Sequence, residues 1–187
     1  YRRYTYYPAT VVYNTVNAQK NYFQLNRGSA QGIKDNMAVI SSDGKAVGIV
    51  VNVSANFAQA MSLLHIQNSV SASLKRSGDF GTAEWDGKDL RYLQLRRIPK
   101  SVEVKQGDTV LTSPVSYNFP PGCMVGTVEG IALDNTTGMY ILKVKTAANF
   151  LSLQQVHVIG NADYDEQIKL NQESRKLIEE PKKTAPK

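Results

Sequence analysis

The sequence predicts an all-β protein made of two small β-barrels of similar design, followed by a helical or disordered C-terminal tail. Three observations support this prediction. A phrase at residues 33–42 returns without a gap at residues 104–113. Strand-forming residues are abundant, with ten tyrosines and many Val, Thr and Ile, and hydrophobic residues make up 42% of the chain. Turn signals separate apolar runs at short intervals, which is typical of sandwiches and barrels.

The repeated phrase has the same chemical order in both copies. An apolar residue and a lysine precede a turn, which closes on Asn36 in one copy and on Gly107 in the other, and a β-prone run follows. Asparagine and glycine both tolerate a left-handed backbone. Each copy then continues with a Val-Gly pair, which contains Gly48 or Gly126, and with a polar break and two apolar runs. This order indicates one hairpin design used twice, although an ordinary all-β chain also produces look-alike strands.

The local composition along the chain suggests the domain limits. Residues 1–8 are aromatic and basic, and we expect the end of an upstream helix or linker there, because the residue before Pro8 leaves the helical region. The first barrel is expected at residues 9–75 and the second at residues 76–160. The boundary between them is soft, since the barrels could exchange strands at their ends.

The two copies differ in one connection, and the chain after residue 160 differs in kind. A short hairpin signal, Asp43-Gly44, serves the first copy, whereas the longer segment 114–123 replaces it in the second.

Residues 161–187 form a charged tail with as many acids as bases. Residues 165–180 could form a helix with a sparse apolar face, and residues 181–187 have the composition of a disordered segment.

Composition and charge narrow the class of protein. Cys123 is the single cysteine, so an internal disulfide and a multi-cysteine metal site are excluded, and we expect it to pack as a small hydrophobe. No apolar run approaches the roughly 18–20 residues that span a bilayer, and no signal peptide is visible. The chain starts without Met, and we interpret it as an excised ectodomain whose missing N-terminus could hold a membrane anchor.

The net charge is +6, and the whole excess lies before residue 161. The densest basic stretch comprises Arg91, Arg96, Arg97, Lys100 and Lys105. A nucleic-acid binder usually shows a sharper basic patch with aromatic or glycine interleaving, so no nucleic-acid partner is expected. A solvated strand face near an anionic partner, such as anionic lipid or cell-wall polymer, is the favoured interpretation.

Motifs for catalysis, metals and cofactors are missing from the sequence. His65 and His157 lie in apolar runs far apart, and Ser113 and Ser116 lie in a turn without a Gly-x-Ser-x-Gly elbow. Walker and Gly-x-Gly-x-x-Gly patterns do not occur. We therefore expect no catalytic residue, no cofactor and no metal. A triad is defined by geometry, so a cryptic trypsin-like hydrolase remains an alternative, as does a module that binds anionic polymer.

A series of short phrases follows a specific order over about residues 8–160. The first half comprises Asn26-Arg27-Gly28-Ser29, Gly32-Ile33-Lys34, Met37-Ala38-Val39-Ile40, Asp43-Gly44 and Val47-Gly48-Ile49-Val50. The second half comprises Gly107-Asp108-Thr109-Val110-Leu111-Thr112-Ser113, Phe119-Pro120-Pro121-Gly122, Val125-Gly126 and Ala147-Ala148-Asn149-Phe150. Each phrase alone is weak, but in their specific order and spacing they resemble a known family, MreC, the bacterial rod shape-determining proteins. The chain departs from the pattern at Pro114, where many relatives have glycine, and after Gly160.

The resemblance implies a non-enzymatic scaffold of the cell-wall elongation complex, the elongasome. It implies an ectodomain of two barrels behind a coiled coil and one transmembrane helix, on the periplasmic side of the bacterial inner membrane. The implied partners are a class B penicillin-binding protein, MreD, MreB and RodA, together with further copies of the same protein.

Three aromatic residues are the candidate partner-binding positions. Tyr117 and Phe119 lie beside prolines in the segment 114–123, where a loop would present them to a partner, and Tyr92 lies near a turn. Tyrosine offers a large contact area at low entropic cost. Packing inside a barrel is an equally good interpretation of these residues.

Overall fold

The computed structural model describes residues 3–179. This part of the chain forms twelve strands and one α-helix. Their bounds are β1 Tyr4–Asn14, β2 Lys20–Leu25, β3 Ala38–Ser41, β4 Ala46–Val53, β5 Ala58–His65, β6 Ser69–Leu74, β7 Phe80–Glu84, β8 Tyr92–Ile98, β9 Thr109–Thr112, β10 Met124–Leu133, β11 Tyr140–Thr146, β12 Gln155–Asn161 and α1 Tyr164–Glu179. Short 3-10 turns at Ser29–Gln31 and Phe150–Ser152 lie between strands.

The strands close into two six-stranded antiparallel barrels, which confirms the predicted fold class. The first barrel has the order β1-β12-β3-β4-β5-β2, and the second has the order β10-β11-β8-β7-β6-β9. Apolar side chains fill both barrels, with Phe23 and Leu64 fully buried in the first and Leu93 and Leu142 in the second. Closing each sheet leaves its strands paired on both sides over most of their length.

The last strand of each repeated unit lies in the other barrel. Strand β6 pairs with β7 and β9, while β12 pairs with β1 and β3. When β1–β6 is compared with β7–β12, every strand has the same neighbours in its barrel. The second barrel, β6–β11, is therefore one continuous segment inserted between β5 and β12 of the first. The expected boundary at residue 75 does not separate the two barrels. Strand β6 lies before it but belongs to the second barrel, and β12 lies after it but belongs to the first.

The repeated phrases occupy equivalent places in separate barrels, on β3 and β9. The N–H of Asn36 donates to the carbonyl of Val50 at 2.8 Å, and the N–H of Gly107 donates to the carbonyl of Val128 at 2.7 Å. Asn36 and Gly107 both have the expected left-handed backbone, with φ of 63° and 90°. The shared turn therefore has the same main-chain contact to the strand that follows it.

The Val-Gly pairs mark points where two strands come unusually close. A Cβ atom added to Gly48 would lie 2.6 Å from the carbonyl oxygen of Met61 on β5. One added to Gly126 would lie 2.0 Å from the carbonyl oxygen of Lys145 on β11. Only glycine fits at either position, so both copies use it for the same close approach between the two strands of a hairpin.

The expected helix end before Pro8 is wrong for the described residues from Tyr4 onward, which belong to β1. Residues 1–2 lie outside the described part. The N–H of Val11 donates to Gln154 next to β12, so by alternation the nitrogen of Pro8 faces the other edge of β1. Strand β2 pairs with that edge only from Val11 onward. Proline is tolerated because its missing N–H falls where no ladder bond is required.

The charged tail begins as the helix α1, none of whose described residues is buried. The N–H of Ala162 donates to the carbonyl of Arg3, so the helix leaves the first barrel beside the start of β1. Residues 181–187, for which the composition suggests disorder, lie outside the described residues. Within residues 3–179, no helix is both long enough and apolar enough to span a membrane.

Candidate interaction site

The segment 114–123 connects β9 to β10 and is fixed by its own hydrogen bonds. Ser113 accepts the N–H of Val115 on its Oγ at 3.2 Å, and Ser116 accepts the N–H of Phe119 in the same way at 3.1 Å. The hydroxyl of Thr112 donates to the carbonyl of Pro120 at 2.6 Å. These side-chain bonds add to main-chain bonds such as that from the N–H of Ser116 to the carbonyl of Ser113, and together they give the loop a defined shape.

The same loop reaches across to the first barrel. Asn118 donates from Nδ2 to the carbonyl of Asn36 at 2.6 Å, and Asn161 donates from Nδ2 to the carbonyl of Tyr117 at 2.9 Å. The Nδ2 of Asn171 on α1 lies 3.4 Å from the hydroxyl of Tyr117. The segment 114–123 therefore joins both barrels and the helix. Sequence reasoning missed Asn118 and Asn161, because nothing in their local sequence shows that they face another barrel.

Tyr117 is 38% exposed and Val115 is 53% exposed, so the loop presents apolar surface to solvent. Both residues belong to a segment held at both ends by buried groups, Ser113 and Phe119. A rigid loop with exposed apolar side chains binds a partner at lower entropic cost than a mobile one. Tyr117 thus lies where the sequence predicts a partner-binding residue, although binding itself stays a prediction.

Phe119 is a correction to the predicted site. Its side chain is fully buried in the core, so it is not presented to a partner. From the sequence, packing inside a barrel is an equally good interpretation of Phe119, and this is where the structure places it. The physical reason is that hydrogen bonds from the N–H of Phe119 to Ser116 and from Thr112 to the carbonyl of Pro120 hold this part of the loop against the barrel, and the phenyl ring is buried in the core.

Tyr92 lies on β8 and is half-buried. The ammonium nitrogen of Lys143 lies 4.0 Å from the centre of its ring, and the guanidinium carbon of Arg91 lies 5.5 Å from it. A hydrogen bond with Glu129 is the main cause that raises the pKa of the Tyr92 phenol. Tyr92 is therefore engaged with its own barrel, and its role as an anchor stays a prediction.

A cleft of about 320 Å³ lies beneath the loop, between the first barrel and the start of α1. Its walls include Tyr7, Met37, Tyr117 and Tyr164. Burial raises the pKa of Tyr164, so its phenol stays protonated near neutral pH. Its lining also includes the charged residues Lys34, Asp35 and Asp165.

The histidines and serines considered for catalysis lie in different parts of the two barrels. Nδ1 of His65 accepts the N–H of Gln67 at 3.0 Å, so the proton is on Nε2, which donates to the hydroxyl of Tyr22 at 3.0 Å. Burial, and next the charge of Lys20, lower the pKa of His65. His157 lies on β12 in the first barrel, opposite Pro8 and Ile40. Ser113 and Ser116 support the loop of the second barrel.

Cys123 is buried, as its sequence context predicts, and burial raises the pKa of its thiol. Across residues 3–179, no group of His, Cys, Asp and Glu side chains is placed to hold a metal ion.

The sequence and the fold were compared with known proteins. The family described as "Rod shape-determining protein MreC, barrel core" matches residues 11–160. A cell shape-determining protein MreC from Listeria monocytogenes is 27% identical over 154 residues, which cover 81% of this chain and 52% of the relative. The chain thus spans about half the length of the curated relatives it matches.

Solved structures share the double-barrel fold. MreC of Listeria monocytogenes superposes with a TM-score of 0.77 at 26% identity and covers 86% of this chain and 78% of its own. A major periplasmic domain from the "cell shape-determining filament MreC" gives a TM-score of 0.72 at 19% identity, with 87% and 99% covered. MreC from Helicobacter pylori, solved in complex with penicillin-binding protein PBP2, gives 0.67 at 21%, with 85% and 99% covered.

The two latter structures are less than 25% identical to this chain and show the fold alone. The family match rests on more, because it spans most of the sequence and includes both barrels, with the repeated turns and glycines that shape them. The chain belongs to the MreC family of rod shape-determining proteins.

Proposed function

We propose that this chain is a non-enzymatic scaffold of the cell-wall elongation complex. It maintains rod shape by organising peptidoglycan synthases on the periplasmic side of the inner membrane, through protein contacts and self-association. The observation that carries the proposal is the loop 114–123, which holds exposed Val115 and Tyr117 in a fixed position where both barrels meet. Surfaces of this kind recognise other proteins.

Relatives support the choice of partner. The Helicobacter pylori MreC was solved in complex with PBP2, and another relative is described as a filament. For this chain we accordingly propose a class B penicillin-binding protein and further copies of itself as the direct partners. By the same family membership we propose MreD, MreB and RodA as members of the assembly, and a membrane anchor in a segment outside this sequence.

The test is a pull-down of the periplasmic domain of the class B penicillin-binding protein from the same bacterium. The variant carries Val115→Ala and Tyr117→Ala, which remove the exposed side chains and leave the hydrogen bonds of Ser116 and Asn118 in place. Losing a true anchor costs about 2 kcal/mol or more, so we expect binding to fall at least about thirtyfold.

The matched control is Leu151→Ala, which removes a 66% exposed side chain next to Phe150, at the opposite end of β1 from the loop 114–123. This variant should bind like the wild type, and all proteins should keep the same melting temperature. If the double variant binds as tightly as the control, the loop is not the interface. If the wild type itself fails to bind, the proposed partner is wrong.

A further inference from the structure

Strand β10 extends beyond the barrel it helps to close. Strand β9 pairs with β10 only from Met124 to Thr127, and the last contact on that side is between Val128 and the turn at Gly107 and Asp108. Strand β11 follows β10 as far as Leu133. Within residues 3–179, no third strand bonds to the outer edge of β10 from Glu129 to Leu133, so the hairpin ends with one open edge.

The main-chain groups of Ile131 and Leu133 point to that open edge. The N–H of Thr146 donates to Arg91 beside β8, so by alternation Leu142 and Tyr140 also direct their main-chain groups toward β8. Ile131 lies opposite Leu142, and Leu133 lies opposite Tyr140. In an antiparallel ladder such pairs do not bond to each other, so Ile131 and Leu133 present their N–H and C=O groups away from β11.

The side chains at this edge are apolar and uncovered. Ile131 is 45% exposed and Leu133 is 46% exposed. Both side chains lie on the same face of the sheet as Leu142, which is fully buried in the core of the barrel. An antiparallel sheet normally buries this face. An open edge with uncovered apolar residues is a template for pairing with another strand.

The first barrel shows how the equivalent place is covered when the chain supplies its own partner. There the hairpin β4–β5 ends early, and the segment before β3 lies across its end. The N–H of Ser29 donates to the carbonyl of Ser54 at 2.9 Å, and the N–H of Ala30 donates to the carbonyl of Ala55 at 3.0 Å. The second barrel has a longer hairpin and no such cover among the described residues.

We propose that the open edge of β10 is the contact through which two copies of this chain associate, by antiparallel pairing of β10 with β10 about a twofold axis at Ala132. The inference rests on the self-association in the proposed function and names its contact. A second copy is the fitting occupant because the edge is self-complementary. Pairing centred on Ala132 places Ile131 opposite Leu133 of the second copy and places no carboxylate opposite another, since Glu129 faces Asn135 and Asp134 faces Gly130.

A register centred on Ile131 is less favourable, because it places Leu133 opposite Glu129 of the second copy. In the register centred on Ala132, the two Ala132 residues form a non-hydrogen-bonded pair. Their Cα atoms would then lie about 4.5 Å apart, which is within the range of a disulfide. The register can therefore be tested with a single cysteine.

The experiment compares Ala132→Cys with Thr136→Cys, both exposed positions of the same hairpin, under mild oxidation and non-reducing electrophoresis. We expect Ala132→Cys to form disulfide-linked dimers at least about tenfold faster, because pairing raises the effective concentration of the two thiols. Equal rates for the two variants would overturn the proposal. Cys123 is buried and present in both proteins.

A second substitution tests the edge itself. Leu133→Pro added to Ala132→Cys removes an N–H that faces outward, together with the exposed leucine side chain. An edge strand tolerates this change, and it should reduce dimer formation to the rate of Thr136→Cys. If Leu133→Pro lowers the melting temperature, Leu133→Lys replaces it, because it leaves the backbone intact and brings a charge to the apolar contact. Undiminished dimer formation in the folded double variant would contradict edge pairing.

The pull-down with the penicillin-binding protein keeps the two proposals apart. If Ala132→Cys forms dimers no faster than Thr136→Cys while the penicillin-binding protein still binds, the edge contact is wrong and the scaffold function stands. If the dimer forms as expected while no penicillin-binding protein binds, the edge contact stands and the proposed partner is wrong.

Discussion

At the scale of single residues, Tyr117 and Phe119 stand two positions apart in one loop and have opposite surroundings. Tyr117 is exposed and makes its contacts through its carbonyl and hydroxyl groups, while Phe119 is fully buried. Both are aromatic and flanked by loop-forming residues, so the sequence does not separate them. What separates them is the direction in which the loop returns to the barrel.

The first prediction is that Phe119→Ala destabilises the protein and Tyr117→Ala does not. Removing a buried phenyl ring leaves a cavity, and such substitutions cost about 3–5 kcal/mol of the free energy of unfolding. The partly exposed ring of Tyr117 should cost less than about 1 kcal/mol. Urea unfolding followed by circular dichroism measures both. Equal losses would show that the loop does not have the shape described.

At the scale of the element, the hairpin is the unit that the chain repeats. Hairpins β3–β4 and β9–β10 share the turn, a residue with a left-handed backbone at the end of that turn, and the Val-Gly pair. These features depend on local backbone geometry, which is why the repeated phrase predicted them correctly. The hairpins β4–β5 and β10–β11 differ in length, and that difference leaves the edge of β10 beyond Val128 open, whereas the end of β4–β5 is covered.

The second prediction compares two glycines of the same hairpin. Gly126→Ala would place a Cβ atom 2.0 Å from the main chain of β11, so the strands must separate, and we expect a loss of more than about 3 kcal/mol of stability. Gly107→Ala meets no atom within 4 Å and pays only for its left-handed backbone, about 1–2 kcal/mol. Differential scanning calorimetry of both variants gives the order. A larger loss for Gly107→Ala would contradict the close approach at Gly126.

At the scale of the whole molecule, the second barrel is inserted into the first. All strands of the second barrel, β6–β11, follow one another along the chain, whereas the first barrel is closed by β12 from the far end. A barrel without its closing strand has two open edges and an uncovered core. The first barrel therefore depends on the complete chain, and the second does not.

The third prediction follows from this order of strands. A fragment of residues 67–154 contains every strand of the second barrel and should fold, with dispersed amide signals in its NMR spectrum. A fragment of residues 1–66 lacks β12 and should remain unfolded by the same measurement. A folded 1–66 fragment would show that β12 is not required to close the first barrel.

The sequence by itself determined the features that depend on neighbouring residues. Strand content, the turns at Asn36 and Gly107, the repeated hairpin and the two-barrel architecture all follow from local backbone preferences and their order along the chain. The family resemblance from short ordered phrases rests on the same local features, and the match to the barrel core confirmed it.

Only the tertiary structure decided which strands close which barrel, which aromatic residue of the loop is buried, and which edge stays open. Strand β6 and strand β12 have similar apolar patterns, and either would suit either barrel by composition. Their placement depends on contacts between residues far apart in the chain, and no local pattern encodes such contacts. The same holds for Pro8. It fits within β1 because, among the described residues, no strand pairs at that position with the edge that its nitrogen faces.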